Sequence, residues 1–346
     1  MSEPLLLGID VGSSRTKAVL VDGDGKESRS AAVDTPFAET AEGVEAGATD
    51  ILGAVARAVA GLGDDRRRVA AVGVAGMAES GAPLDGAGRP LAPVIPWHDG
   101  RGDDVAARLE DRFGADLARA AGQKVRAVAT VAKLGWLLDR GVAGVSRWLG
   151  VPELVLNALT GAEATEWSLA ARTGSFDVAR REWLPDVARA AGFDVEVFPE
   201  IGSAGEDMGR VSSEGAAWAG LPAGIPVTLG GHDHLAGVVG SGAATADLVN
   251  SVGTAETVVG RSPDLPDVVA ALDRGVAVTV FPGADGWAAT PRSRAATTSG
   301  RSGERPTTVS AVPTEFTRSA VAAPLPTTPA RWSWPPRVTG MPAGRP

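Results

Sequence analysis

The sequence predicts an α/β protein organised on a mixed sheet with helices packed against it. Three observations carry this. The chain opens with a meander of strand-like runs over residues 5–11, 16–21 and 26–33. A helical stretch over 47–62 then leads to another strand over 69–74. Much later an apolar run over 225–229 reads as a buried strand, opens at Gly230-Gly231 and passes into a small-residue helix over 235–244. Meander, then helix, then strand is the order of a mixed sheet, not of a simple doubly wound one.

The elements follow in order. The second strand of the meander is closed by Asp22-Gly23-Asp24-Gly25, a turn signal. Ile51, Val55, Val59 and Leu62 share one helical face. The strand over 69–74 leads to Gly76-Met77-Ala78-Glu79, the stretch from Leu84 to Arg89 is a tight turn, and a Pro-flanked segment leads to Trp97-His98-Asp99-Gly100-Arg101. Val105, Leu109, Phe113 and Leu117, four apart, predict a helix; residues 129–139 predict another. A further helix over 151–159 ends at Thr160-Gly161, where glycine suits a C-cap. Residues 182–191 read as helical up to Gly192, residues 248–259 as a hairpin, and 275–281 as the last strand.

The 346 residues allow two domains of ordinary size, and 44% hydrophobic residues allow a sizeable core. A net charge of −9 argues against a general nucleic-acid partner. The absence of cysteine excludes disulfides, thiolate catalysis and Cys-based zinc sites. The N-terminus lacks a basic, apolar leader, and no apolar run approaches the ~20 residues that span a membrane, so no membrane partner and a cytoplasmic location are expected. From Ala288 onward the material changes: there is no Asp or Lys, and Glu304 and Glu315 stand against eight arginines and ten prolines.

Two turns invite a phosphate. Gly12-Ser13-Ser14 follows Asp10 and is free of bulky Cβ groups, so backbone N–H groups and small hydroxyls can wrap an anion, with Lys17 close by. The spacing is not that of G-x-x-x-x-G-K-[ST], and an ordinary hairpin turn accounts for it as well. Ser251-Val252-Gly253-Thr254 echoes Asp10-Val11-Gly12-Ser13, which suggests two related halves gripping one polyphosphate. In Gly231-His232-Asp233-His234 a carboxylate stands at the end of a buried strand, where open α/β sheets place ligands, and it is a candidate general base. A helix cap and a His/Asp metal cluster are the competing readings. Glu79 reads as a ligand-hydroxyl partner or as a solvated loop carboxylate. Trp97 reads as a stacking surface or as packed core, and Met77 more as core than as contact. Asp99 and Arg101 read as partners of each other, and Lys133 and Trp136 as structural.

Several of these stretches, in order, resemble the FGGY carbohydrate kinases. Residues 8–17 (GIDVGSSRTK) are similar to the family's first phosphate motif, and Gly73 to Glu79, Leu84-Asp85 and Trp97 to Arg101 to its sugar-side segment. Residues 130–139 are close to its Lys-x-x-Trp signature, and Leu159-Thr160-Gly161 and Ala171-Arg172-Thr173 match two further landmarks loosely. Gly231-His232-Asp233 matches the segment with the catalytic base, and Ser251 to Thr254 the second phosphate motif.

The resemblance implies an actin-like ATPase (ribonuclease H-like) α/β fold with a complete first domain over 1–242 and a fragmentary second domain over 243–287. It implies a kinase of a sugar or polyol hydroxyl that uses ATP and Mg²⁺. Asp233 would be the base, and Asp10 would hold magnesium through water. Gly12, Ser13, Ser14, Lys17, Gly253 and Thr254 would meet the phosphates. Met77, Ala78, Glu79 and Trp97 would join Asp233 around the sugar. A homodimer stands as one arrangement that the sequence does not decide.

The chain departs from the family after residue 287. The remaining tail, 288–346, has little apolar periodicity and no Gly-rich adenine loop, and such a composition does not bury enough surface to fold. It reads as a shifted-frame translation of GC-rich DNA, a disrupted gene end or a disordered basic segment. On that reading Asp233 faces a cleft with most of its far wall missing, kinase activity is impaired, and a sugar-binding fragment without catalysis is the alternative.

Overall fold

The opening strands owe their pairing to a period-two pattern. In Leu5–Val11 (β1), Leu5, Leu7, Ile9 and Val11 are buried and alternate with more exposed residues. Arg15–Val21 (β2) and Glu27–Asp34 (β3) complete the expected antiparallel meander. On the other side of β1 lie Val69–Gly76 (β4) and Val227–His232 (β5), in parallel pairing, so the sheet order is β5-β4-β1-β2-β3. The computed structural model describes residues 3–245, 247–252, 255–282, 286–291 and 294–295. All of them fall in one unit, Met1–Thr308.

Helices cover this sheet with the faces their spacing predicts. Ala48–Ala60 (α1) buries Ile51, Val55 and Val59 against β2 and β3. Asp103–Ala121 (α2) and Thr130–Asp139 (α3) pack on each other through Val105, Leu109, Val131 and Leu134. Val151–Thr160 (α4) packs on β4 and β5 and ends at Gly161, whose φ of 77° provides the left-handed cap. Trp167–Ala170 (α5) is a single turn. The helix read over 182–191 is shorter than expected: Glu182–Trp183 pairs with Phe176–Asp177 as a small ribbon, and Pro185–Ala190 (α6) starts at its proline. Ser213–Ala219 (α7) packs on α4.

Two boundaries near residue 230 also differ. β5 runs through Gly230 and Gly231, because a bulge there absorbs one residue of the pairing with β4. The next helix, Asp233–Gly240 (α8), begins at Asp233 itself and stops four residues before the expected end at 244.

A second sheet follows. Leu248–Val252 (β6) and Ala255–Ser262 (β7) form the predicted hairpin; its turn residues Gly253 and Thr254 lie outside the described residues. Val268–Asp273 (α9) packs on Val276–Val280 (β8), the strand expected to be last. Trp287–Pro291 (β9) instead pairs with both β7 and β8, and Arg294–Ala295 (β10) adds to β7. The boundary placed at 287 therefore falls inside a paired strand. The rest of the tail, 296–346, lies outside the described residues.

The two layers are locked together by named contacts. Val278 donates its N–H to the Gly122 carbonyl at 2.8 Å, and the Trp287 indole donates to the Val178 carbonyl at 3.0 Å. Val280 packs with Phe176 and Val178 in one buried cluster. Among the described residues no helix is long and apolar enough to cross a membrane.

Candidate active site

Because β1, β4 and β5 run parallel, their carboxyl ends share one edge, and the register sets Val11, Gly76 and His232 side by side. This is the edge at which open α/β sheets take ligands. Asp10 lies on β1, Met77, Ala78 and Glu79 follow β4, and Asp233 follows β5.

Asp233 is the first residue of α8. Its Oδ1 accepts the His234 N–H at 2.7 Å and lies 3.2 Å from His232 Nε2. Only 26% of its side chain and 16% of that of His232 reach solvent. Burial therefore raises the Asp233 carboxyl above its ordinary value, against the opposing pull of His234, Lys17 and Arg172. Burial, with Arg172 next in effect, also holds the His232 imidazole down to about 3. His232 is thus neutral, and its 3.2 Å approach to Asp233 Oδ1 is a contact with an uncharged ring, not an ion pair. His234 turns its Nδ1 to Ser251 Oγ at 2.7 Å, tying α8 to the second sheet. The helix makes no side-chain cap bond at His232, its N-cap, so Asp233 is not the cap. Among the described residues no group of three or more His, Asp or Glu converges as a metal cage.

Glu79 is not a solvated loop carboxylate. It is 8% exposed, adopts the left-handed φ of 62° and forms an ion pair with Arg172. Its carbonyl receives the Nζ of Lys133 at 3.1 Å, and the same ammonium reaches the Pro96 carbonyl at 2.8 Å. Lys133, wholly buried, thereby ties the Glu79 and Trp97 segments together. Trp97 is half-buried, packs against the core of the first sheet and meets His98 edge-on at 5.4 Å. Met77 is buried yet also lines the cleft. Arg101 bonds Asp99 at 3.0 Å and Glu45 at 2.9 Å, the structural pairing expected of it.

A cleft of about 270 Å³ opens between the two layers. Met77, Ala78, Glu79, Trp97 and Asp233 line one wall together with Arg172, His232 and His234. Thr257, Val259, Val276 and Thr279 of the second sheet line the other, so a far wall is present in the described residues. Asp10, Gly12, Ser13, Ser14 and Lys17 do not line this cleft; they lie on the β1–β2 hairpin, and Gly253 and Thr254 lie outside the described residues. Asp10 Oδ2 meets Lys17 at 3.3 Å, while its Oδ1 is buried without a partner. Burial raises the Asp10 carboxyl, and the charge of Asp233 raises it further. The N–H of Gly12 is spent inside the turn on the Arg15 carbonyl at 3.1 Å, so it does not face outward as expected. The Ser14 carbonyl accepts the Thr35 N–H, which fixes the turn of Gly12, Ser13 and Ser14 from behind.

Sequence reasoning left out Arg172. Its Nη2 holds Glu79 and its Nη1 reaches Gln123 Oε1 at 2.6 Å. The only signal for it was its place in the Ala171-Arg172-Thr173 landmark.

Comparisons with known proteins bear on the family and the fold. The chain is 33% identical to an L-fuculokinase of Escherichia coli over 186 residues, 53% of this chain and 39% of that protein. It is 30% identical to a xylulose kinase of Klebsiella pneumoniae over 261 residues, 72% of this chain and 53% of that protein. The chain therefore spans about half the length, or less, of these relatives. The crystal structure of a xylulose kinase from Rhodospirillum rubrum superposes with a TM-score of 0.75 at 22% identity, covering 83% of this chain and 60% of that one. The fold is accordingly the actin-like ATPase fold of these sugar kinases. Residues 5–240 match the N-terminal domain of the FGGY family of carbohydrate kinases, and the chain belongs to that family.

Proposed function

We propose that this protein phosphorylates a hydroxyl of a sugar or polyol at the expense of ATP, with Asp233 as general base. The observation that carries the reading is a raised, partly buried carboxylate at the end of β5, in a cleft that also holds Glu79, Arg172 and Trp97. A base whose pKa is lifted toward the working pH accepts a proton more effectively, and a positioned base contributes ~10²–10⁴-fold. In this reading Asp233 takes the proton of the attacking hydroxyl, and the His234 N–H, which donates to Oδ1, keeps it oriented. Glu79 and Arg172 form one rigid acceptor–donor pair that reads the remaining hydroxyls. Trp97 offers an apolar face to the ring.

Magnesium fits the residues present. Mg²⁺ is held by one or two carboxylates, with phosphates and water completing its shell. Asp10 has a buried, unpartnered oxygen suited to that. The ion would supply charge neutralisation at the phosphates. Lys17 and the turn of Ser13 and Ser14 stand beside it for the phosphate oxygens, with Gly12 shaping the turn, and Gly253 and Thr254 are assigned to the phosphates of the same nucleotide. The domain assignment is 1–242 for sugar binding and from 243 for ATP binding. The reading includes a cytoplasmic location and no nucleic-acid or membrane partner; sedimentation decides the homodimer.

L-fuculose and xylulose, named by the relatives, are the first substrates to test, followed by small polyols. A coupled ATP-turnover assay on the full chain, beside calorimetric sugar binding, tests the proposal. Sugar-dependent turnover that Asp233→Asn abolishes while sugar still binds supports it. Equal turnover in the variant refutes the role of Asp233. Sugar binding with no turnover makes the chain a sugar-binding fragment.

A further inference from the structure

Behind the cleft a buried acidic residue grips the segment that carries Asp233, and the kinase mechanism does not use it. Glu166 and Ser168 are both 0% exposed. Glu166 precedes α5 and caps it, accepting the Ser168 N–H on Oε2 at 2.8 Å. The Ser168 hydroxyl also contacts Oε2, and its oxygen accepts the His232 N–H at 2.9 Å. That N–H belongs to the residue immediately before Asp233. Gly231, with φ of 87°, packs so tightly here that a Cβ would collide with Glu166 Oε2 and Ser168 Oγ. The β5 bulge, which turns the strand toward Asp233, is thus moulded onto the Glu166–Ser168 pair.

We propose that Glu166 is a positioning residue that acts through the Ser168 hydroxyl on the His232 amide, fixing the backbone from which Asp233 projects, and that its ionisation sets the strength of that grip. The importance of Asp233 rests on the kinase reading above; the relay itself does not. With Glu166 ionised, Ser168 donates its hydroxyl proton to Oε2, and its polarised oxygen is a better acceptor for the His232 N–H. With Glu166 protonated on its unpartnered Oε1, the uncharged carboxyl is a weaker acceptor for the Ser168 hydroxyl, the Ser168 oxygen is less polarised, and the His232 bond weakens.

Glu166 can switch near neutrality. Its second oxygen, Oε1, is buried without a partner, which disfavours the anion, and burial lifts the carboxyl to about 7. The Ser168 hydroxyl and the backbone N–H groups of Ser168 and Leu169 oppose this, and Glu153 on α4 reinforces it. On the far side of the relay, the His232 ring faces Arg172, Glu79 and His234.

The test is the amide resonance of His232 in the ¹⁵N-labelled full chain, followed from pH 5.5 to 8.5 with neither sugar nor nucleotide present. The proposal expects the amide proton to move downfield as pH rises, with a midpoint near 7. Both Glu166→Gln and Ser168→Ala should abolish this titration, and His234→Gln should retain it. A wild-type resonance that does not titrate overturns the proposal. So does a titration that survives either Glu166→Gln or Ser168→Ala. Ser168→Ala removes one hydroxyl and leaves the carboxyl in place, so the test stands even where the Glu166 variant does not fold. Failure of the kinase reading would appear in sugar binding and turnover, which this experiment does not use.

Discussion

Lys133 gives the sharpest quantitative expectation. It is a wholly buried ammonium whose two bonds run to the Glu79 and Pro96 carbonyls. Burial lowers it from 10.5 to about 7, against the attraction of Glu79 and Asp99. The unfolded chain then binds this proton up to pH 10.5, while the folded chain releases it near 7. Between those values the unfolded state carries more protons, so folding stability rises with pH by ~1.4 kcal/mol per unit, toward a total of ~5 kcal/mol. Below pH 7 this contribution is absent, because both states are charged and the folded one bears the burial cost. Lys133→Met has no such slope. It also strands two buried carbonyls, at ~1–3 kcal/mol each. Urea unfolding followed by tryptophan fluorescence at pH 7, 8 and 9 measures the stability difference between the two proteins. The difference should widen in favour of the wild type by about 1 kcal/mol from pH 7 to 8 and by ~1.3 kcal/mol from pH 8 to 9. A gap that stays constant across that range would mean that Lys133 keeps its proton in the fold, and the account of its burial would be wrong.

Three further changes probe the rest of the site. Arg172→Met should cost ~3–5 kcal/mol because it leaves the Glu79 carboxylate buried and unpaired; adding Glu79→Gln should recover most of the denaturation midpoint but not sugar affinity in calorimetry. Gly231→Ala should lower stability by ~2–4 kcal/mol, since a left-handed backbone and a collision with Glu166 coincide there; an unchanged urea midpoint would contradict the packing. Lys17→Met should raise the titration midpoints of Asp10 and Asp233 together, because Lys17 lowers both; ¹³C carboxyl resonances report this, and a shift in only one would uncouple the pair.

Much of this architecture was legible because it is periodic. The meander, α1, α2, α3 and α4 follow directly from apolar spacing, and the parallel strands from apolar runs. What failed did so for local reasons. β9 consists of Trp287-Ala288-Ala289-Thr290-Pro291, with alanines in place of branched residues and a terminal proline, so nothing in it announces a strand. The helix start at Asp233 was hidden by the two glycines, which read as a break but are absorbed by a bulge. The site was legible in its carboxylates and not in their partners. Glu79 and Arg172 lie 93 residues apart, and only the fold makes them a pair. The same holds for Glu166, which looks like one more polar residue until the chain of bonds through Ser168 to His232 is traced.

The arrangement follows from one constraint. Parallel strands β1 and β5 flank β4 and end at the same edge, so residues placed there for chemistry are also close to each other. Two carboxylates, Asp10 and Asp233, share that edge, and each is pushed upward by being half dry. The cation nearest to Asp10, Lys17, is 54% exposed and so screens weakly. Arg172 is committed to Glu79 and Gln123. Among the described residues one carboxylate oxygen, Asp10 Oδ1, is buried without a hydrogen-bond partner. On the proposed kinase reading, a divalent cation bound with phosphates would supply positive charge at Asp10, and Asp233 would remain the acceptor for the hydroxyl proton. On that reading the raised carboxyls at the ends of β1 and β5 serve one reaction, and acidification should disable the site at a pH above the ordinary carboxylate range.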